Sequence, residues 1–151
     1  IVHWPAGITA RGEVRHQYGH VVDMVPTVLE ALGVDPPAAV GGVTQSPIEG
    51  VSLAHTFNDE TAASKHHTQY FEMFAHRALY HDGWRAVCPF PGTSFEEAGA
   101  GFGMLDLTED RLRALDATGW ELYHVDVDPA ETNDLAEQER ARLIEMIALW
   151  Y

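Results

Sequence analysis

Cationic side chains are scarce in this sequence: nine Lys and Arg stand against 23 Asp and Glu, for a formal charge of −14. Nucleic acid and anionic membrane surfaces both call for a cationic patch, so neither is expected as the main partner. Cysteine is nearly absent. The single Cys88 excludes an intramolecular disulfide and leaves the redox compartment open. No run of about 18 apolar residues is present, as a membrane-spanning helix would need. The opening Ile1-Val2-His3-Trp4-Pro5 has none of the basic region, apolar run and cleavage site of a signal peptide. The expectation is therefore a soluble chain, with its compartment unassigned. An initiator Met is also missing, and the apolar, β-branched start reads as a strand cut from within a longer protein.

Several catalytic signatures are lacking as well. There is no Gly-x-Ser-x-Gly elbow, and Ser46, Ser52, Ser64 and Ser94 all fall in loop-like stretches, which argues against a Ser-His-Asp hydrolase. No Gly-x-x-x-x-Gly-Lys loop occurs to cradle phosphate. Nine His residues invite a metal site, but no His-Glu-x-x-His is present. His66 and His67 are adjacent, so on a strand they would point to opposite faces. A thiolate at Cys88 would need a base or a helix N-terminus beside it, and Pro89-Phe90-Pro91 follows instead. No metal ligand is therefore assigned.

What is present is ample apolar content, 46% of 151 residues, enough for one domain with a real core. Ile1 to Trp4 reads as a strand ended by Pro5, followed by a polar segment over residues 11–17. Asp23 can cap a helix in which Pro26 falls in the first turn, where a missing amide proton is harmless. Val22, Val25, Leu29 and Leu32 share one face of it, and Gly33 fits the position after its end. Asp35-Pro36-Pro37 stops this helix, and residues 38–58 read as an ordered, irregular loop. Residues 68–75 alternate like a strand, Asp82-Gly83 is a strong hairpin signal, and Tyr80 and Trp84 flank that turn. A Gly-rich insertion over residues 92–119, with one helical turn near 109–115, comes next. Residues 120–125 restore strand alternation. A last helix over 137–150 places Leu143, Met146 or Ile147, and Trp150 on one face.

These elements predict an α/β to α+β architecture. One strand and helix left over from a large sheet, in residues 1–58, precede a small antiparallel sheet with a packed C-terminal helix, in residues 59–151. Within that sheet Glu72 stands out. If Phe71 and Met73 face the core, a carboxylate between Tyr70 and Phe74 faces a pocket or an interface; the plainer alternative is a cross-strand pair with Arg77 or Arg85.

The stretch His67-Thr-Gln-Tyr-Phe-Glu-Met-Phe-Ala-His-Arg-Ala-Leu-Tyr-His-Asp-Gly-Trp-Arg-Ala86 resembles the C-terminal signature of type I sulfatases of the arylsulfatase group, in the alkaline phosphatase superfamily. Residues 1–8, 17–33, 47–53 and 120–123 with 133–136 resemble that family's late segments in the same order. Residues 89–119 are the main gap. The family usually has Gly-Asn where this chain has Ala75-His76.

The resemblance implies hydrolysis of sulfate esters by a formylglycine made from the Cys of a Cys-x-Pro-x-Arg motif, with a calcium ion held by Asp and Asn. None of these groups is in this sequence, and Cys88 does not fit the motif. The resemblance therefore implies the C-terminal portion of a sulfatase: inactive alone, without catalytic or metal residues, and dependent on the missing N-terminal part as its partner. Its implied contribution is a wall of the sulfate ester cleft, with His67, Tyr70 and Glu72 as the wall residues. A phosphodiesterase or phosphonate hydrolase of the same superfamily fits the late segments equally, and a free-standing interaction module is a further alternative. Apolar faces left bare in such a fragment would drive self-association.

Overall fold

A computed structural model describes residues 1–73, 76–89, 109–110, 113 and 119–151. It is a mixed α+β chain that divides into two compact units, Ile1–His67 and Thr68–Tyr151.

In the first unit the expected strand at Ile1–Trp4 is not formed. Instead the chain turns at once, with the amides of Gly7 and Ile8 both donating to the Trp4 carbonyl at 3.0 and 2.9 Å. A strand needs a neighbour to take its amide and carbonyl groups, and none of the described residues pairs with this segment. A 3₁₀ turn at Val21–Asp23 leads into α1, Met24–Leu32. Gly33, at φ +63°, ends the helix in a left-handed cap. Its amide donates to Glu30 and that of Val34 to Leu29, which satisfies carbonyls the helix leaves open.

The cap at the other end differs from expectation. The Asp23 carboxylate makes no capping bond to α1; it closes a capping box with His20 around the preceding turn. The loop over 38–58 is also more ordered than its composition suggests. Ala39–Val40 (β1) and Val43–Thr44 (β2) form a short hairpin around Gly41 and Gly42, and Ala54–Thr56 makes a second 3₁₀ turn. Both glycines have positive φ, the backbone that a two-residue hairpin turn requires.

In the second unit β3 (Thr68–Met73), β4 (His76–His81), β5 (Trp84–Cys88) and β6 (Glu121–His124) form one antiparallel sheet in sequence order. Leu79, Ala86 and Leu122 stand opposite one another across β4, β5 and β6. They are buried with Cys88, Trp120 and Ala136 beneath Leu143 and Met146 of α2, Arg140–Trp150. Directly opposed residues share a face, so Tyr70, opposite Leu79, and Glu72, opposite Arg77, lie on this helix-covered side. Phe71 and Met73 therefore take the other face, and Met73 is exposed, the reverse of the facing expected from sequence. Among the described residues β3 is an edge strand, and alternation along it does not report which of its two faces the helix covers. Of the insertion, Glu109, Asp110 and Arg113 are helical, with Arg113 donating to Glu109; the rest lies outside the described residues.

Candidate functional site

A polar and aromatic cluster of the second unit is built around Arg77. β4 sets this residue opposite Glu72 on β3 and Cys88 on β5. Its guanidinium carbon lies 5.2 Å from the Trp120 ring centroid and 5.3 Å from that of Trp150. Nη1 donates to the Tyr151 hydroxyl at 3.0 Å and Nη2 to Cys88 Sγ at 3.3 Å. The two indoles meet edge to face at 6.1 Å. A guanidinium suits such a place, being planar, always charged and weakly hydrated. It can hold a fixed positive charge and orient a neighbouring anion, but it cannot take or give a proton in a reaction.

The three residues expected in a cleft wall are divided between the units. His67 is exposed and closes the first unit. Tyr70 and Glu72 stand together on the edge strand of the second. Tyr70 is stacked on Trp150 at 5.2 Å, and Glu72 has Arg77 as its cross-strand neighbour, one of the two residues that the plainer reading of the sequence named. Cys88 is wholly buried in the core, out of reach of a substrate. Among the described residues no group of three or more His, Cys, Asp or Glu is placed to hold a metal ion. No helix among them is long and apolar enough to cross a membrane.

In the first unit the sequence reading missed a buried carboxylate–imidazole pair. His66 Nδ1 lies 2.9 and 2.7 Å from the two carboxylate oxygens of Asp23. Each oxygen also accepts a backbone amide at 2.7 Å, Oδ2 from His20 and Oδ1 from Val51. Burial by itself raises the Asp23 pKa, but the two amides and the His66 bond and charge outweigh it, and the carboxyl is held below its usual range. Nothing in sequence spacing links positions 23, 51 and 66.

The same unit has an open cleft of about 410 Å³ lined partly by Ile8, Arg15, Leu53 and Phe57. Arg15 is held there by the carbonyls of Thr56 and Phe57 and by Glu13, which makes it a wall tie. The unexpected arrangement of the second unit is a three-layer stack: the Arg142 guanidinium lies 4.4 Å from the Trp84 ring, and Trp84 lies parallel to His124 at 4.3 Å.

No protein-family model matches the chain. Among solved structures, a Bacteroides thetaiotaomicron protein labelled 6S-sulf and described with glycosaminoglycan metabolism matches with a TM-score of 0.51 and 18% identity. The match covers 84% of this chain and 23% of that one. The fold is that of part of a sulfatase. A second structure, solved in complex with its substrate D-glucosamine-2-N,6-O-disulfate, matches at TM-score 0.47 and 18% identity, over 85% of this chain and 22% of that one. This chain thus spans less than a quarter of either sulfatase, and the sulfatase-like region takes in both of its units.

Proposed function

We propose that this chain is the C-terminal part of an arylsulfatase-like sulfuric ester hydrolase of the alkaline phosphatase superfamily, serving as scaffold and cleft wall. The observation that supports this is the agreement between five collinear sequence segments and a partial sulfatase fold over 84% of the chain. Calcium and a formylglycine derived from Cys would be supplied by the N-terminal part of the parent protein, as the sequence resemblance implies. When bound there, they would supply charge stabilisation at the sulfate and the attacking oxygen. The contribution of this chain would be positional: β3 would present Tyr70 and Glu72, and the first unit His67, to the organic part of a sulfate ester. Stacking of Tyr70 on Trp150 fixes the Tyr70 ring, as a wall residue requires.

The test is to express the longest reading frame containing this chain and assay it against an aryl sulfate, a phosphate diester and a phosphonate monoester, with mass spectrometry of the nucleophile. Sulfate ester turnover with a formylglycine is the expected result. Preference for a phosphorus substrate would move the parent to the phosphodiesterase or phosphonate hydrolase branch, and a frame opening at Ile1 without hydrolysis would leave an interaction module.

The chain by itself should self-associate. α1 has no buried residue, and Val25, Val28 and Leu32 are all more than half exposed, an apolar surface of the kind that recruits a partner. Light scattering that shows a compact monomer without dye-binding surface would count against this.

A further inference from the structure

The described residues of the first unit bury no apolar side chain; Asp23, Thr56 and His66 are what it buries. Its cohesion therefore rests largely on polar ties, and the Asp23 carboxylate is one that is fully buried. This group joins three stretches far apart in sequence: the helix entry through His20, the segment at Gly50 and Val51, and the end of the unit through His66. The approach is close enough to demand glycine. A Cβ at Gly50 would lie 2.0 Å from the Val22 carbonyl oxygen and 2.9 Å from the Asp23 amide. Thr27 extends the node, its hydroxyl donating to the Asp23 carbonyl and accepting the Leu53 amide.

We infer that Asp23 is an acid-releasable clasp: charged, it holds these three stretches of the first unit together, and protonated, it frees them while the second unit stays folded. Every group facing the carboxylate is a donor, so a proton on either oxygen is set against an N–H, and one acceptor is lost to a buried site. The titratable neighbours are His66 itself and His20, whose ring accepts the Val22 amide at 3.5 Å; Tyr18 packs its ring edge-on to His66 at 5.3 Å. The sign follows from the direction of the Asp23 shift. A lowered folded-state value gives stability that is present above the usual 3.8 and lost as pH falls through the lower value. The second unit has carboxylate ties of its own, Asp128 to the amides of Thr132 and Asn133 and Asp134 to those of Leu122 and Ala136, but it also has an apolar core under α2, which stays in place when they are protonated.

The test is hydrogen exchange with mass spectrometry on the full chain from about pH 6 to about pH 2, corrected for intrinsic rates. Peptides containing His20, Val51 and His66 should lose protection together, by at least roughly tenfold, the factor a hydrogen bond to a charged group is worth. Peptides spanning Leu79, Ala86 and Leu122 should keep theirs. Asp23→Asn should show the same selective loss at neutral pH, and His66→Asn, whose amide nitrogen falls near the Nδ1 position, should restore most of the protection that His66→Ala removes. Separate midpoints for the three peptides, loss in both units at one pH, or full protection in Asp23→Asn would each overturn the clasp. Should Asp23→Asn not fold, the pH series on the unaltered chain decides.

Discussion

Tyr70 and Trp150 stack with ring centroids 5.2 Å apart and planes at 26°, which ties the edge strand β3 to the last residue of α2. The Trp150 indole N–H also donates to the Phe71 carbonyl at 3.4 Å, and the ring carries one side of the Arg77 cage. Trp150→Ala removes all three contacts and should destabilise the second unit by about 3 kcal/mol, whereas Trp150→Phe, which keeps a stacking ring, should cost about 1 kcal/mol. Urea unfolding followed by circular dichroism checks this. Equal losses for the two variants would show that the retained ring contributes nothing and would assign the effect to the indole N–H bond to Phe71.

Arg77 gives a second prediction, because its charge and its shape can be separated. Lysine keeps the charge but cannot lie flat against two indoles while donating to both the Tyr151 hydroxyl and Cys88 Sγ. Arg77→Lys should therefore cost about 1–2 kcal/mol, the range for a partly desolvated cation–π contact. The residue is half-buried, which places it above the near-zero contributions of fully exposed pairs. A stability unchanged within error would make the cage incidental.

Tyr123 carries the alkaline limit of the sheet. Burial comes first among the causes that raise its pKa, followed by the bond its hydroxyl donates to Glu121 at 2.9 Å and the charges of Glu121, Asp134 and Glu131; together they push it up to about 12. A raised folded-state value gives stability that is complete below the usual 10.0 and lost as pH rises from there through about 12. Glu121→Gln removes the bond to a charged acceptor and one repelling charge, so the phenol should ionise at lower pH. Ultraviolet titration of the tyrosinate band reads this directly. A curve for Glu121→Gln that overlays the unaltered chain would assign the shift to burial and the charges of Asp134 and Glu131.

The elements most legible in the sequence were those set by local chemistry. Asp82-Gly83 announced its hairpin because positive φ at two successive positions is a property of those residue types, and Gly33 marked the end of α1 for the same reason. Leu143 and Met146 were readable from helical spacing, and both are buried in the core. The failures share a cause. A strand at Ile1–Trp4, the facing of β3 and the role of Asp23 each depend on what lies across from the segment, and spacing along one chain does not report that. The Asp23–His66 pair is 43 residues apart in sequence, and neither residue type nor interval marks it. The small hairpin at Gly41-Gly42 is a different case: two glycines between short β-branched runs are a known turn signal, and the surrounding Pro and Gly content obscured it.

The hairpin turn also gives the most direct test of backbone strain. Gly83 has φ +82° and follows Asp82 at +43°, so an L side chain at position 83 sits in the left-handed region, which costs roughly 1–2 kcal/mol. Space is restricted as well, because a Cβ there would fall 2.3 Å from an Asp126 carboxylate oxygen. Asp126 is exposed, however, and the far end of its side chain can swing away, so strain rather than crowding should dominate. Gly83→Ala should lower the stability of the second unit by about 1–2 kcal/mol, Gly83→Asn by less, since Asn tolerates this region. Adding Asp126→Ala to Gly83→Ala separates the two effects in a double-mutant cycle. Little recovery is expected; recovery of most of the lost stability would instead assign the need for glycine to the packing of Asp126 against the turn.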